Sequence, residues 1–292
     1  MSLRQHLKSL INLSPSLSTF LRKQKEERAR KRPAVVTRHG FRFAGNPAME
    51  DGSFEPIETS IIRSLAPGYD NFVNIGANIG YYCCHSLQLG LPTIAFEPSQ
   101  SNLSSLLRNL VENGWDDRVE VFPLALSERP GILNFFGEGT GASLLPGWAG
   151  VPSQYVSRVP VSTLDRVLGD RLLERRNFFV IDVEGAELGV LRGAARHLDQ
   201  MAGSAWMVEI CISEHLPAGQ KTNPHLRQTF DMFWSRGFTA HTADGKATAV
   251  TPEMIDAIVQ SGVDTLGTHN FVFFKGPVDR VMLDKLRPSG KS

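Results

Sequence analysis

The sequence predicts an α/β protein built on a doubly wound, mostly parallel sheet. From residue 71 onward, short apolar runs alternate with segments whose apolar residues recur at helical spacing. A glycine loop, Gly76 to Gly80, follows the first of those runs, where such folds turn from strand into helix. The chain has 292 residues, 41% hydrophobic and 21% charged, which is enough apolar material for a sizeable core. That balance excludes a disordered chain, a collagen-like fibre and a coiled-coil rod.

Asn71–Ile75 is the first predicted strand, and a helix begins at about Tyr81. Thr93–Phe96 is a second strand, ending at Glu97-Pro98. Leu103, Leu106, Leu107, Leu110 and Val111 then fall on one helical face closed by Asn113-Gly114. Val119–Phe122 and Phe178–Ile181 are further strands. Leu188, Leu191, Ala195 and Leu198 mark one helix between Phe178–Ile181 and the later strands Trp206–Ile210 and Asn270–Phe274. The stretch from Asn71 to Phe96 carries no charge and is long enough to span a bilayer. Asn74, Asn78, His85, Gln88 and Pro92 interrupt it, so strand, glycine loop, helix and strand describe it better.

Charge is unevenly spread. The whole chain carries 31 Lys+Arg against 30 Asp+Glu, a net +1 that points away from nucleic acid. Between Arg22 and Arg32, seven basic residues face two acidic ones, a local +5, which leaves −4 for the rest. Residues 1–40 are assigned to a helical basic N-terminal arm and residues 41–292 to the α/β domain. Leu3, Leu7, Leu10 and Ile11 recur at helical spacing, and Ser14-Pro15 starts a second helix. The arm suits a solvated helix, a contact of residues 1–32 with a protein or an anionic membrane surface, or a transit peptide. No apolar core of a secretory signal follows the first basic residues, and three cysteines without framework spacing fit reduced thiols in the cytoplasm. His215, His225, His241 and His269 show no metal-ligand spacing, and no metal is expected. The oligomeric state is not legible.

The candidate site lies at the carboxyl ends of the strands, where open α/β sheets bind ligands. Gly76 and Gly80 let the backbone turn and approach a ligand, and the following helix N-terminus offers N–H groups. Glu97 ends the next strand about 20 residues on, where an acid can accept both hydroxyls of a ribose. The loop spacing is G-x-x-x-G, with Ala77 and Asn78 inside it. It lacks the central glycine of a nicotinamide-binding loop, and no phosphate-binding G-x-x-x-x-G-K-[ST] occurs. S-adenosyl-L-methionine (SAM), which carries no phosphate, suits this loop. An NAD-dependent oxidoreductase is the disfavoured alternative, and a non-catalytic SAM-fold binding protein is another.

Several strings resemble the FkbM-type family of class I SAM-dependent methyltransferases. They are Phe54-Glu55-Pro56-Ile57-Glu58-Thr59, Val73 to Tyr82 around G-A-N-I-G, Ala95-Phe96-Glu97-Pro98, Ala125-Leu126-Ser127, Ile181 to Glu187 (I-D-V-E-G-A-E) and Val208-Glu209-Ile210. The resemblance implies a Rossmann-like, seven-stranded sheet and SAM held by the glycine loop, with Glu97-Pro98-Ser99 at the ribose. It also implies that Ala125 borders the adenine and that Glu58 approaches from the N-terminal flank. At Asn74 the family usually has Asp, which helps hold the cationic methionyl end, and at Val180 relatives often carry Lys. The acceptor it implies is a hydroxyl of a sugar or secondary-metabolite small molecule.

Asp182 and Glu184 are two apart and share a face in extended chain, and Asp182 stands at a strand end. Methylating an alcohol requires removal of its proton. Asp182 is the first candidate base, with Glu209 and His215 as alternatives, and Asp182 also borders the cofactor. Glu184 and Glu187 suit a capping role equally well. Residues 139–157 are uncharged and irregular, with Trp148 and Tyr155 inside, as in an active-site lid or a surface loop with aromatic anchors.

Overall fold

The computed structural model describes residues 32–139, 141–200, 203–276 and 278–287. The predicted helices of the N-terminal arm lie outside these residues. The last part of the assigned arm, residues 32–40, is not helical. It contains β1 (Val35–Val36), which pairs antiparallel with β2 (Arg42–Phe43). Phe41 and Phe43 are fully buried against Met49, Tyr81 and Cys84, so this hairpin belongs to the folded body.

Two helices follow, α1 (Pro47–Asp51) and α2 (Pro56–Leu65), each with proline in its first turn. The α/β core runs through β3 (Asn71–Ile75), α3 (Tyr81–Gln88), β4 (Thr93–Phe96), α4 (Gln100–Val111) and β5 (Val119–Phe122). A small sheet of β6 (Ala125–Leu126), β7 (Gly131–Phe136) and β8 (Val156–Ser162) comes next, in the order β6-β8-β7. Then come α5 (Leu164–Leu168), β9 (Asn177–Ile181), α6 (Glu187–Arg192), α7 (Ala195–Asp199) and β10 (Ala205–Glu209). The chain ends with α8 (Leu226–Trp234), β11 (Phe238–Thr242), β12 (Ala249–Val250), α9 (Pro252–Ser261), β13 (Asn270–Lys275) and α10 (Arg280–Lys285).

The main sheet has the order β12-β11-β13-β10-β9-β3-β4-β5. Strands β5, β4, β3, β9 and β10 are mutually parallel, and β13 inserts antiparallel between β10 and β11. The sheet thus has eight strands where seven were expected. The eighth, β12, is a two-residue edge addition. No described helix is long and apolar enough to cross a membrane.

Both faces of the sheet are covered, which is why its strands read as continuous apolar runs. Val73, Ile75, Phe179, Ile181, Trp206, Val208, Phe271 and Phe273 pack into one core, while Phe72, Phe178, Val180, Met207 and Val272 pack into another on the opposite face. Trp206 stacks on Phe179 at 3.8 Å, and each such buried side chain contributes about 1.5–3 kcal/mol. On α4, Leu106 and Leu110 are buried, but Leu107 and Val111 are exposed, so the apolar face is narrower than the spacing suggests. The single helix expected over Leu188–Leu198 breaks into α6 and α7 around Gly193. A Cβ on Gly193 would stand 2.2 Å from the Ser127 carbonyl oxygen, so the chain passes too close there to accept a side chain.

The glycines of the first loop are required by packing within the protein. A Cβ on Gly76 would lie 1.7 Å from the Asp182 carbonyl oxygen, and one on Gly80 would lie 2.4 Å from Leu106 Cδ1. Gly76 also holds φ +86°, which an L side chain rarely adopts. Gly76→Ala is therefore expected to destabilise the fold by about 3 kcal/mol or more, read as a lowered urea midpoint. A midpoint like that of wild type would contradict the contact.

Candidate active site

Parallel register brings the ends of four strands side by side. Ile75 pairs with Phe96 and with Ile181, and Ile181 pairs with Val208. The next residues, Gly76, Glu97, Asp182 and Glu209, therefore emerge together at the carboxyl edge. A cleft opens there. Gly76, Asn78, Glu97, Pro98, Ala125, Asp182 and Glu184 line it, and Phe96, Leu124, Leu126, Phe135, Ala142 and Leu144 supply apolar walls.

Glu97 is 3% exposed, and burial pushes its carboxyl up to about 7 despite the donors around it. Its Oε2 accepts the Asn78 N–H at 2.7 Å, and its Oε1 accepts the Ser99 N–H at 2.8 Å. The Asn102 amide adds a longer contact of 3.4 Å. Asn78 is held at φ +49°, and its side-chain Oδ1 is buried without a hydrogen-bond partner.

The loop amides are already committed. Gly76 and Ala77 both donate to the Phe96 carbonyl, Asn78 donates to Glu97, and Gly80 donates to Ala77. The amides of Gly76, Ala77, Asn78 and Gly80 are thus spent on fixing the loop to β4 and to itself.

Asp182 and Glu209 stand side by side at the ends of β9 and β10, close enough for each carboxyl to act on the other. Burial raises Asp182 well above the usual carboxylate range, and the neighbouring Glu209 and Glu184 raise it further. Burial likewise lifts Glu209 to about 8. Two carboxyls at this separation share a proton rather than ionise together. Glu187 accepts the Gly185 N–H at 2.8 Å from the first turn of α6, and burial lifts it to about 8.

The structure gathers Gly76, Asn78, Glu97, Pro98, Ala125 and Asp182 in one cleft and leaves other candidates outside its lining. Asn74 is buried beneath the loop, where its amide donates to Cys83 Sγ at 3.5 Å. Strand alternation turns it away from the cleft, so the missing charge at this position does not alter the cleft wall. Ala77 and Gly80 act through the backbone. Ser99 contributes its N–H to Glu97. Glu58 accepts from the Asn270 amide at 3.2 Å and ties α2 to β13. His215 is exposed on the loop after β10, at φ +60°, with its carbonyl accepting the Ala149 N–H at 2.7 Å.

Sequence reasoning missed Asn102, one turn into α4, and Glu55, which precedes α2. Glu55 is held at φ +40° and accepts a hydrogen bond from Tyr82. Burial raises its carboxyl, with Glu58 and Glu184 adding to the rise. The E-P pair opening a helix marks Glu55 locally, but nothing in the sequence brings it to Tyr82. The irregular segment 139–157 has both expected characters. Ala142 and Leu144 wall the cleft, while Trp148 is 2% exposed and donates its indole N–H to Glu184 Oε2 at 2.7 Å.

A family model described as the methyltransferase FkbM domain matches residues 74–240, more than half of the chain. The chain belongs to the FkbM methyltransferase family. No curated protein matches it. Among solved structures it is similar to a methyltransferase FkbM from Methylobacillus flagellatus KT, at 17% identity and TM-score 0.41 over 70% of this chain and 43% of that one. The chain thus spans less than half the length of that relative. A putative O-methyltransferase from Klebsiella pneumoniae is similar at 15% identity and TM-score 0.44, over 80% of this chain and 91% of that one. An O-methyltransferase from Bacillus cereus, in complex with SAH, is similar at 14% identity and TM-score 0.44, over 76% of this chain and 82% of that one.

Proposed function

We propose that this FkbM-family protein is a SAM-dependent O-methyltransferase acting on a hydroxyl of a sugar or secondary-metabolite small molecule. The chemistry of the cleft carries the proposal: a carboxylate oriented by amides at one end, a carboxyl pair at the other and apolar walls between. Each Glu97 oxygen takes one short backbone bond, so each retains acceptor capacity for one of two vicinal ribose hydroxyls. The orphaned Asn78 Oδ1 is a buried acceptor suited to an ammonium group. Phe96, Leu124, Leu126 and Phe135 suit a flat base, with Ala125 and Pro98 beside them. The committed loop amides fit a ligand without phosphates and disfavour a dinucleotide, which needs an open amide cradle.

When bound, SAM supplies an electrophilic methyl group on a sulfonium. The chain then has two tasks, to orient the acceptor oxygen and to take its proton. The Asp182–Glu209 pair is the group suited to the second task. Its singly ionised form keeps a charge that can accept the hydroxyl proton, and Glu209 keeps Asp182 oriented. The test is SAH formation that depends on an added hydroxyl acceptor. Acceptor-dependent turnover lost in Asp182→Ala supports the proposal, while turnover that survives that substitution removes the proposed base.

Glu97 gives a second handle. At pH 7 its carboxyl in the free protein is close to half protonated, because burial has raised it to about 7. Two ribose hydroxyls bonded to it favour the ionised form. SAM binding at pH 7 is therefore expected to release about half a proton, and affinity should fall as pH drops below 7. Calorimetry in buffers of different ionisation enthalpy reads this directly. Proton uptake, or an affinity independent of pH between 6 and 8, would contradict a diol on Glu97.

A further inference from the structure

A second cavity of about 340 Å³ lies between residues 141–157 and the loop after β10. Leu145, Pro146, Trp148, Leu216, Pro217 and Pro224 make most of its wall, with Gln220, Asn223 and His225 as its polar members. One turn of chain separates it from the cofactor cleft. Asp182, Val183, Glu184 and Ala186 line the cleft from that turn. On its other side, a Cβ on Gly185 would meet the Trp148 ring at 2.5 Å and Leu145 at 2.9 Å. The lid alternates in the same way, with Ala142 and Leu144 facing the cleft and Leu145, Pro146 and Trp148 facing the second cavity.

The cavity offers few hydrogen bonds. Its three prolines carry no N–H. Asn223 is spent internally, its amide donating to the Cys211 carbonyl at 2.9 Å and its Oδ1 accepting the His225 N–H at 2.9 Å. The Trp148 indole N–H is taken by Glu184. A sugar placed here would lose water contacts that the walls cannot replace.

We propose that this cavity is the binding site for the apolar body, an aromatic or aliphatic ring system, of a hydroxyl-bearing acceptor. The inference rests on the methyltransferase reading above and narrows its acceptor class toward apolar metabolites and away from free sugars. Trp148, whose indole N–H bonds Glu184, and Leu145 stand between the two sites, so transfer requires this pair to part and let the acceptor's hydroxyl reach the cleft beside Asp182.

The test titrates 2-naphthol and, separately, methyl glucoside into the full chain saturated with SAH, which blocks the cofactor cleft. Saturable naphthol binding is expected, with no saturable binding of the glucoside. Leu216→Asp, which puts a charge on the wall, should weaken naphthol by roughly tenfold or more. Gln220→Asp at the exposed rim gives the same readout should Leu216→Asp fail to fold, and SAH affinity should stay as in wild type for both. Naphthol affinity unchanged by Gln220→Asp, no saturable naphthol binding, or binding of the glucoside instead would each overturn the assignment. Failure of SAH to bind wild type would remove the methyltransferase reading and this inference with it, whereas SAH binding without naphthol binding removes this inference alone.

Discussion

Glu97→Ala is expected to weaken SAM binding by roughly 10²- to 10⁴-fold. Two hydrogen bonds to a charged carboxylate are lost, each worth about 1.5–3 kcal/mol. The same carboxylate ties the Asn78 and Ser99 amides, so its removal also loosens the loop that carries the orphaned Asn78 Oδ1. Asn102→Ala is the graded control, since its contact with Glu97 is longer, at 3.4 Å. Its effect should be much smaller. An unchanged affinity in Glu97→Ala would mean that the cofactor lies elsewhere.

Asp182→Ala carries the second large effect, on turnover rather than binding. Loss of a positioned general base lowers kcat by roughly 10²- to 10⁴-fold. SAM affinity should change far less, because the ribose contacts at Glu97 remain. Folding should not suffer. Asp182 is half-buried beside Glu209 and Glu184, and removing it relieves like-charge repulsion that grows as the pH rises. The sign follows from the raised carboxyls: the penalty of ionising them in the fold is absent at acid pH and present once the pH passes their folded values. The same raised pair sets the rate profile. In wild type the singly ionised pair forms only above the usual carboxylate range, so methyl transfer should rise with pH. In Glu209→Gln the shared proton is gone and Asp182 titrates alone, so the profile should move. A profile flat from pH 6 to 9, or unmoved by Glu209→Gln, would exclude the pair as the base.

The main sheet was legible because its parallel strands are buried on both faces. Runs such as Phe178–Ile181 and Trp206–Val208 stand out as unbroken apolar segments. The small sheet was not. Most of β7 is exposed, with Ile132 at 72%, so it lacks the alternation that marks a half-buried strand. At the site, Gly76, Glu97 and Asp182 were legible because each directly follows a strand, and Asn78 because it lies inside the glycine loop. The reason for Gly76 was not, since its missing side chain makes room for the Asp182 carbonyl, more than a hundred residues away in sequence. The hydrogen bonds that spend the loop amides on Phe96 are likewise tertiary. Glu55 was passed over for Glu58, although Glu55 meets Tyr82 near the carboxyl pair while Glu58 is held by Asn270. Such pairings depend on how α2 docks, which no local pattern encodes.

The central claim is that the cleft between Gly76, Glu97 and Asp182 binds SAM. Calorimetric titration of the purified protein with SAM and SAH, using NAD as control, tests it most directly. Saturable 1:1 binding of both, with none of NAD, is the predicted result. Binding of NAD in place of SAM, or of neither, would contradict it.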